Sequence, residues 1–354
     1  MRPLRRRGGG RPSQQNEGVI GSFLRPGRRG RGRHVSQRHF RAWVARRLAL
    51  RAFDGLVRPV ILPRLRLTVR IGFCLGLSLV QQTGADSAGP ARSRVVQQID
   101  HILVESTKAG ELFVWLTEAL RLPVAWPMAR YGRFASGGVA LGNVNLEILE
   151  VAAGASKNAP NRLVGLALEP VAWPEILDEL QRRGITHGDP APFYRRRWLR
   201  RGELLWTTVS LPSVSHDSFE VFLCEYADDS AGRRAQLRRE LDSRRGGPLG
   251  LRSVREVVVG PSDETKESSA WQALLGPAGL KNRRWSIGEG PALRLTAADA
   301  KTAATLVLTV ESLEQAKRYL QQQGWLGESQ PDGTRISADV TEGLAIVLVE
   351  ADAR

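Results

Sequence analysis

The feature that most constrains this chain is an order of elements that recurs four times after residue 96. Each copy reads as an apolar strand, a helix of roughly three turns, a glycine or proline stop, then strands punctuated by polar residues. The first copy opens with Ile99–Val104 and continues as a helix over Gly110–Leu120, with Leu112, Trp115, Leu116 and Ala119 on one face. Pro123 ends it, and strands are expected at Gly138–Leu141 and Val144–Val151. The second copy has a strand at Leu163–Leu168 and a helix at Trp173–Arg183 with Pro174 in its first turn and Gly184 just past its end. Strands at Leu204–Leu211 and Phe219–Glu225 follow. The third has Val254–Val259, a helix near Ser269–Leu275 and a strand at Ala292–Leu295. The fourth has Thr305–Val310, a helix at Ser312–Gln323 stopped by Gly324, and strands at Ile336–Val340 and Leu344–Val349. The helix ends LQRRGI (Leu180–Ile185) and LQQQGW (Leu320–Trp325) share one layout. Four βαβββ units, paired, predict an α+β chain of two curved mixed-sheet domains, 97–227 and 251–354. The charged stretch 228–250, ending in Gly246-Gly247-Pro248, reads as a helical linker.

Charge separates the repeats from what precedes them. Residues 1–96 carry 21 arginines, no lysine and three acidic residues, a net of +18. The other 258 residues carry 31 basic and 33 acidic side chains, a net of −2. The overall charge of +16 therefore belongs to the tail and is no argument that the body binds nucleic acid. Arg5–Arg11 and Arg25–Arg33 are low-complexity basic runs without the apolar content that ordering requires, and they are expected to be disordered. A short amphipathic helix is compatible with Phe40–Val57. Two cysteines, Cys74 and Cys224, exclude a disulfide framework and a cysteine-rich zinc site. Of the five histidines, His34 and His39 lie in the tail. No run of ~18 apolar residues predicts a spanning helix.

Within the tail, residues 64–85 have the three parts of a secretory signal peptide: Arg64, Arg66 and Arg70, then the apolar Ile71–Val80, then small residues at Thr83 and Ala85. Three readings stand. Translation begins near Val69 and the protein is exported; the segment is a basic linker and the protein cytoplasmic; or the arm works on nucleic acid or a membrane surface.

The opening QIDHILV (Gln98–Val104), followed by a helix and then GNVNLEIL (Gly142–Leu149), resembles the glyoxalase/bleomycin-resistance/extradiol-dioxygenase (vicinal oxygen chelate) superfamily, nearest its glyoxalase-like branch. The resemblance implies that each pair of units wraps an eight-stranded sheet around a cup. In metal-using members the cup holds a divalent ion on residues from the first and fourth strands of each unit. Carried onto this chain, those positions fall on His101, Glu147 and Glu225, with Gly165 in the fourth place, where glycine cannot ligate. One imidazole and two carboxylates would still suit iron, manganese, nickel or zinc with open positions for a substrate. Gly165 would also leave room in the cup. Trp126, Tyr131, Phe134 and Asn145 are the expected substrate-binding lining, with the glycine-rich Tyr131–Gly138 connection as rim.

Neighbouring residues temper that reading. A lone strand histidine is often a hydrogen-bonded core residue, a buried carboxylate needs a partner or a proton, and Cys224 reads as a packing thiol. Glu150 and Glu220 are the substitutes if the register is shifted, and His187 and His216 are expected in loops. In the second domain the positions matching His101, Glu147 and Glu225 hold Glu256, Arg294 and Glu350, and residues 250–354 contain no histidine, so that half reads as degenerate. The run Arg195–Arg201 reads as a basic loop around Trp198.

Three functions are compatible with these residues. One is a metal-assisted lyase, isomerase or dioxygenase acting on a small oxygenated molecule. Another is a metal-free protein that binds or sequesters a small molecule, as resistance-protein members of the superfamily do. The last is an interaction protein whose arginine-rich arm docks on an acidic partner. Units can be completed within a chain or between chains, which leaves a homodimer open.

Overall fold

The computed structural model describes residues 94–131, 134–150, 159–171, 175–196, 201–261, 263–276, 283–296 and 304–352. The basic tail, the segments at 40–57 and 64–85, Cys74, and Arg197, Trp198 and Arg200 of the basic run lie outside these residues, as do the side chains of Tyr131 and Phe134.

The first half runs β1 (Val96–Ser106), α1 (Ala109–Val114, continued by a π turn Trp115–Ala119), β2 (Val124–Tyr131), β3 (Phe134–Ala140), β4 (Asn145–Glu150), β5 (Arg162–Pro170), α2 (Glu175–Arg182), β6 (Ala191–Arg196), β7 (Arg201–Ser210) and β8 (Glu220–Tyr226). These strands form one mixed sheet in the order β2-β3-β4-β1-β5-β8-β7-β6. β1 runs parallel to β4, β5 parallel to β8, and β1 meets β5 antiparallel, so two βαβββ units join along their first strands. This is the paired arrangement that the resemblance implies.

After α3 (Ser230–Ser243), the second half runs β9 (Leu251–Val259), α4 (Glu264–Leu275), β10 (Arg284–Trp285), β11 (Ala292–Leu295), β12 (Thr305–Val310), α5 (Leu313–Gln323), β13 (Leu326–Gln330), β14 (Gly333–Ile336), α6 (Ala338–Thr341) and β15 (Ala345–Glu350). Its sheet has seven strands among the described residues, in the order β10-β11-β9-β12-β15-β14-β13.

Local chemistry sets the element ends. Asp229, Asp263 and Ser312 cap α3, α4 and α5, each accepting a hydrogen bond from the backbone N–H three residues on. Gly324 ends α5 at φ +71°, where a side chain would strain the backbone. Two expectations need correction. Ile336–Val340 is not one strand: β14 stops at Ile336, and the Ser337 hydroxyl accepts from the Asp339 N–H to start α6. Most of the Tyr131–Gly138 connection is strand: β3 begins at Phe134 and pairs with β2, Trp126 lying opposite Gly138. A Cβ on Gly138 would lie 2.4 Å from the indole, so the ring rests on bare backbone.

One hydrophobic core serves both halves, joining Ile99, Leu146 and Leu166 to Trp271, Leu308 and Leu320. Trp115 and Trp325 meet edge-on at 5.8 Å, and the Tyr319 hydroxyl donates to the Ala119 carbonyl at 3.1 Å. Smaller clusters line the other face of each sheet: Leu103, Val164, Ala167, Phe222 and Cys224 in the first, and Val258, Val307, Val347 and Val349 in the second. Among the described residues no helix is long and apolar enough to cross a membrane.

Candidate functional site

The candidate site is built on β1. Ile99 pairs with Leu168 and His101 with Ala167, which leaves Asp100 as the extra residue of a β-bulge. The bulge lets two consecutive side chains meet: the His101 Nδ1–H donates to Asp100 Oδ2 at 2.7 Å. On the other side of the ring, His101 Nε2 lies 3.2 Å from Glu147 Oε2. Glu147 also accepts from the Ser136 hydroxyl at 2.6 Å, and the Trp126 indole N–H approaches that hydroxyl at 3.4 Å. His101, Asp100, Glu147 and Ser136 are all buried.

Behind the imidazole the network continues. Asp100 accepts from the Tyr226 hydroxyl at 3.2 Å and from an Arg234 guanidinium N–H at 3.3 Å. Arg234 also pairs with Glu169 at 2.9 Å, and Glu169 accepts from Gln98 and Ser230. Aromatic rings flank His101: Trp126 at 6.2 Å and Phe222 at 5.9 Å between centroids, both edge-on. Phe193, Trp206 and Tyr226 extend that wall, with Phe193 and Trp206 stacked at 4.2 Å.

Burial alone would disfavour a charged imidazole, but the hydrogen bonds and charges of Asp100 and Glu147 outweigh it and raise His101 to about 10. This pairing favours the imidazolium at neutral pH, with a carboxylate beside each ring nitrogen. Burial pushes the Cys224 thiol and the Tyr226 phenol up, and the Asp100 charge adds to both, so each keeps its proton.

The strand register shows which positions face one another. His101 pairs with Asn145 on β4, and Ala167 pairs with Phe222 on β8. Two residues further along each fourth strand stand Glu147 and Cys224. Across β1 and β5, His101 faces Ala167 and Leu103 faces Gly165, and along β8 it is Phe222 and Cys224 that stand on the His101 side. Phe222 and Cys224 belong to the His101-side cluster and Tyr226 packs against it, so strand alternation turns Glu225 to the opposite face. Gly165 does not open the hollow either: a Cβ there would lie 2.3 Å from the Glu220 carbonyl oxygen, so the residue serves a close approach of β5 to β8. Asn145 and Trp126 are half-buried, and Asn145 shares Glu147's side of β4. Glu220 is buried on the Phe222 side of β8, whereas Glu150 pairs with Arg130 at 2.7 Å. His187 bonds to the Gly188 carbonyl and His216 stacks on Phe219, both apart from the site.

Those placements decide the fit of a metal ion. The expected set was one imidazole and two carboxylates; on the His101 side the fold supplies one imidazole and the Glu147 carboxylate, with Gly165, Ala167, Phe222 and Cys224 along the facing stretches of β5 and β8. Among the described residues no group of three or more His, Cys, Asp or Glu is arranged to hold an ion. The residues do not fit the expected three-ligand centre.

The second sheet repeats the geometry with other residues. Glu256 pairs with Ala292 as His101 pairs with Asn145, and Arg294 stands two residues on, as Glu147 does. Glu256 is bonded by Arg284 and Arg294, each at 3.0 Å through Nε. The bulge recurs at Arg255, between Val254 and Glu256. Both halves thus carry a diagonal ion pair between first and fourth strands, with opposite polarity. Asp100, Tyr226, Arg234 and Ser136 escaped the sequence reading because each is recruited by pairing across the fold; only the adjacency of Asp100 to His101 was visible.

No family model and no curated protein sequence matches the chain. Solved structures do. A hypothetical protein from Staphylococcus aureus aligns over 72% of this chain and 99% of its own, with TM-score 0.48 and 11% identity. A variant of 4-hydroxymandelate synthase from Streptomyces coelicolor aligns over 73% and 94%, with TM-score 0.47 and 13% identity. A catechol 2,3-dioxygenase aligns over 73% and 94%, with TM-score 0.44 and 11% identity. At such identities the similarity concerns outline and not chemistry.

Proposed function

We propose that this chain, whose paired βαβββ units have the vicinal oxygen chelate fold, is a metal-free binding protein for a small, partly aromatic molecule. The observation that carries the reading is the His101 ring, held between Asp100 and Glu147 on a face walled by Trp126, Phe222, Trp206 and Phe193. Such a face offers ring contacts for an apolar body, with the Ser136 and Tyr226 hydroxyls as polar groups that can orient it. Both ring nitrogens already have carboxylate partners, Asp100 at Nδ1 and Glu147 at Nε2.

A second reading, a metal-assisted lyase, isomerase or dioxygenase, draws on one observation: His101 and Glu147 occupy first- and fourth-strand positions and face each other at 3.2 Å. Elemental analysis and thermal unfolding of the full-length protein separate the two. The binding reading expects no stoichiometric metal. It also expects stabilisation by at least one member of a panel of phenols and aromatic acids, about 2.7 kcal/mol at ~100-fold excess over Kd. Stoichiometric iron, manganese, nickel or zinc, lost in His101→Ala, would overturn it in favour of the enzyme.

A further inference from the structure

Bordering the outer end of the network around His101, at Arg234 and Gln98, lies a cleft of about 600 Å³ between the start of β1, the linker helix α3 and the second half of the chain. One face of α3 forms a wall: Ala231, Arg234, Ala235 and Arg238 stand at i, i+3, i+4 and i+7, so two small residues leave space that two guanidiniums border. Arg94 and Gln97 face them from the β1 side. The Gly142-Asn143 and Gly288-Glu289 turns close the remaining wall.

The walls are locked by backbone contacts. Gly288, at φ +57°, has no room for a side chain, because a Cβ would lie 2.2 Å from the Gln97 carbonyl oxygen. Gly142, at φ +99°, is equally close-set against the Arg252 carbonyl at 2.4 Å. The Asn143 amide then bonds both the N–H and the carbonyl of Val254, at 2.9 and 3.0 Å. A cleft fixed in this way loses little entropy on binding, which favours affinity for a small ligand.

Its charge is uneven. Three guanidiniums face the single carboxylate of Glu289. Arg234 is matched internally by Asp100 and Glu169. Arg94 is exposed, and among the described residues Arg238 reaches only an exposed Asp242 at 3.5 Å, a contact worth little in water. Two guanidiniums therefore flank a preformed space of the size that small-molecule sites have.

We infer that this cleft binds a small organic oxyanion, a phosphate or carboxylate group held between Arg94 and Arg238. The cleft shares Arg234 and Gln98 with the His101 network, but the two guanidiniums that would hold the oxyanion, Arg94 and Arg238, make no contact in that network among the described residues, so its test stands apart from that of the proposed function. Calorimetry on the full-length protein with inorganic phosphate and, in a separate arm, with citrate should give saturable binding with Kd of about 1 mM or tighter. The tighter arm identifies the head group. Arg238→Ala, at a half-buried position, and Arg94→Ala, at an exposed one, should each weaken it about tenfold, and Glu289→Gln should tighten it. Absence of saturable binding in both arms would overturn the inference. An unchanged Kd in both arginine variants would do so too, because the basic tail would then be the binder.

Discussion

His101 is a buried base held by two acids, and its free energy depends on all three groups. A charged ring inside a protein is costly unless its charge is met; removing one member of such a set typically costs about 3–5 kcal/mol because the others remain buried and uncompensated. His101→Gln should therefore lower stability by about that amount at neutral pH, read from urea unfolding. The pH dependence has a definite sign. The folded value of about 10 lies above the ordinary 6.5, so the stabilisation is complete below about 6.5 and disappears as pH rises through about 10. Wild-type stability should fall across that window more steeply than that of His101→Gln. Parallel curves for the two proteins would mean that the ring is neutral in the fold.

At the scale of elements, the strands and helices that carry strong periodicity were legible: Ala292–Leu295 and Thr305–Val310 have the bounds expected for them. What failed was phase. Along β8 a one-residue shift separates Cys224, which looks into the His101 side, from Glu225, which looks away. The bulge at Asp100 adds a residue to β1 that no periodic pattern announces, and a second register shift near Val164 does the same on β5. Gly165 shows how backbone proximity can be mistaken for space. Read from sequence, it is a small residue that leaves a gap; in the fold it is the point where β5 lies against Glu220. Gly165→Ala should force the β5–β8 pair apart and destabilise the protein by about 1–3 kcal/mol, whereas Gly184→Ala should cost less, through its φ of +69° alone, since nothing lies within 4 Å of its Cβ position. Equal losses in thermal unfolding would refute the steric account.

The whole molecule departs furthest from a reading in separate domains. Each half carries one sheet, but nothing local in the sequence could reveal that the halves share one core or that side chains of one half serve the backbone of the other. Asn143 bonds both backbone groups of Val254, and the Asn161 side chain donates to the Thr341 carbonyl at 2.9 Å. Asn143→Ala should leave the Val254 N–H and carbonyl unsatisfied and cost about 1–3 kcal/mol. Unfolding should remain a single transition that shifts as a unit when followed by tryptophan fluorescence and by circular dichroism. Two resolved transitions would mean that the halves melt separately.

The common interior sets terms for how such a chain can be divided or changed. Severed after Tyr226, either piece would carry into water the leucines and tryptophans that the other now covers, so neither piece is a portable module. A half that gives up its chemistry in such a molecule keeps its place as the other half's wall, and each must hold its shape for the sake of its neighbour.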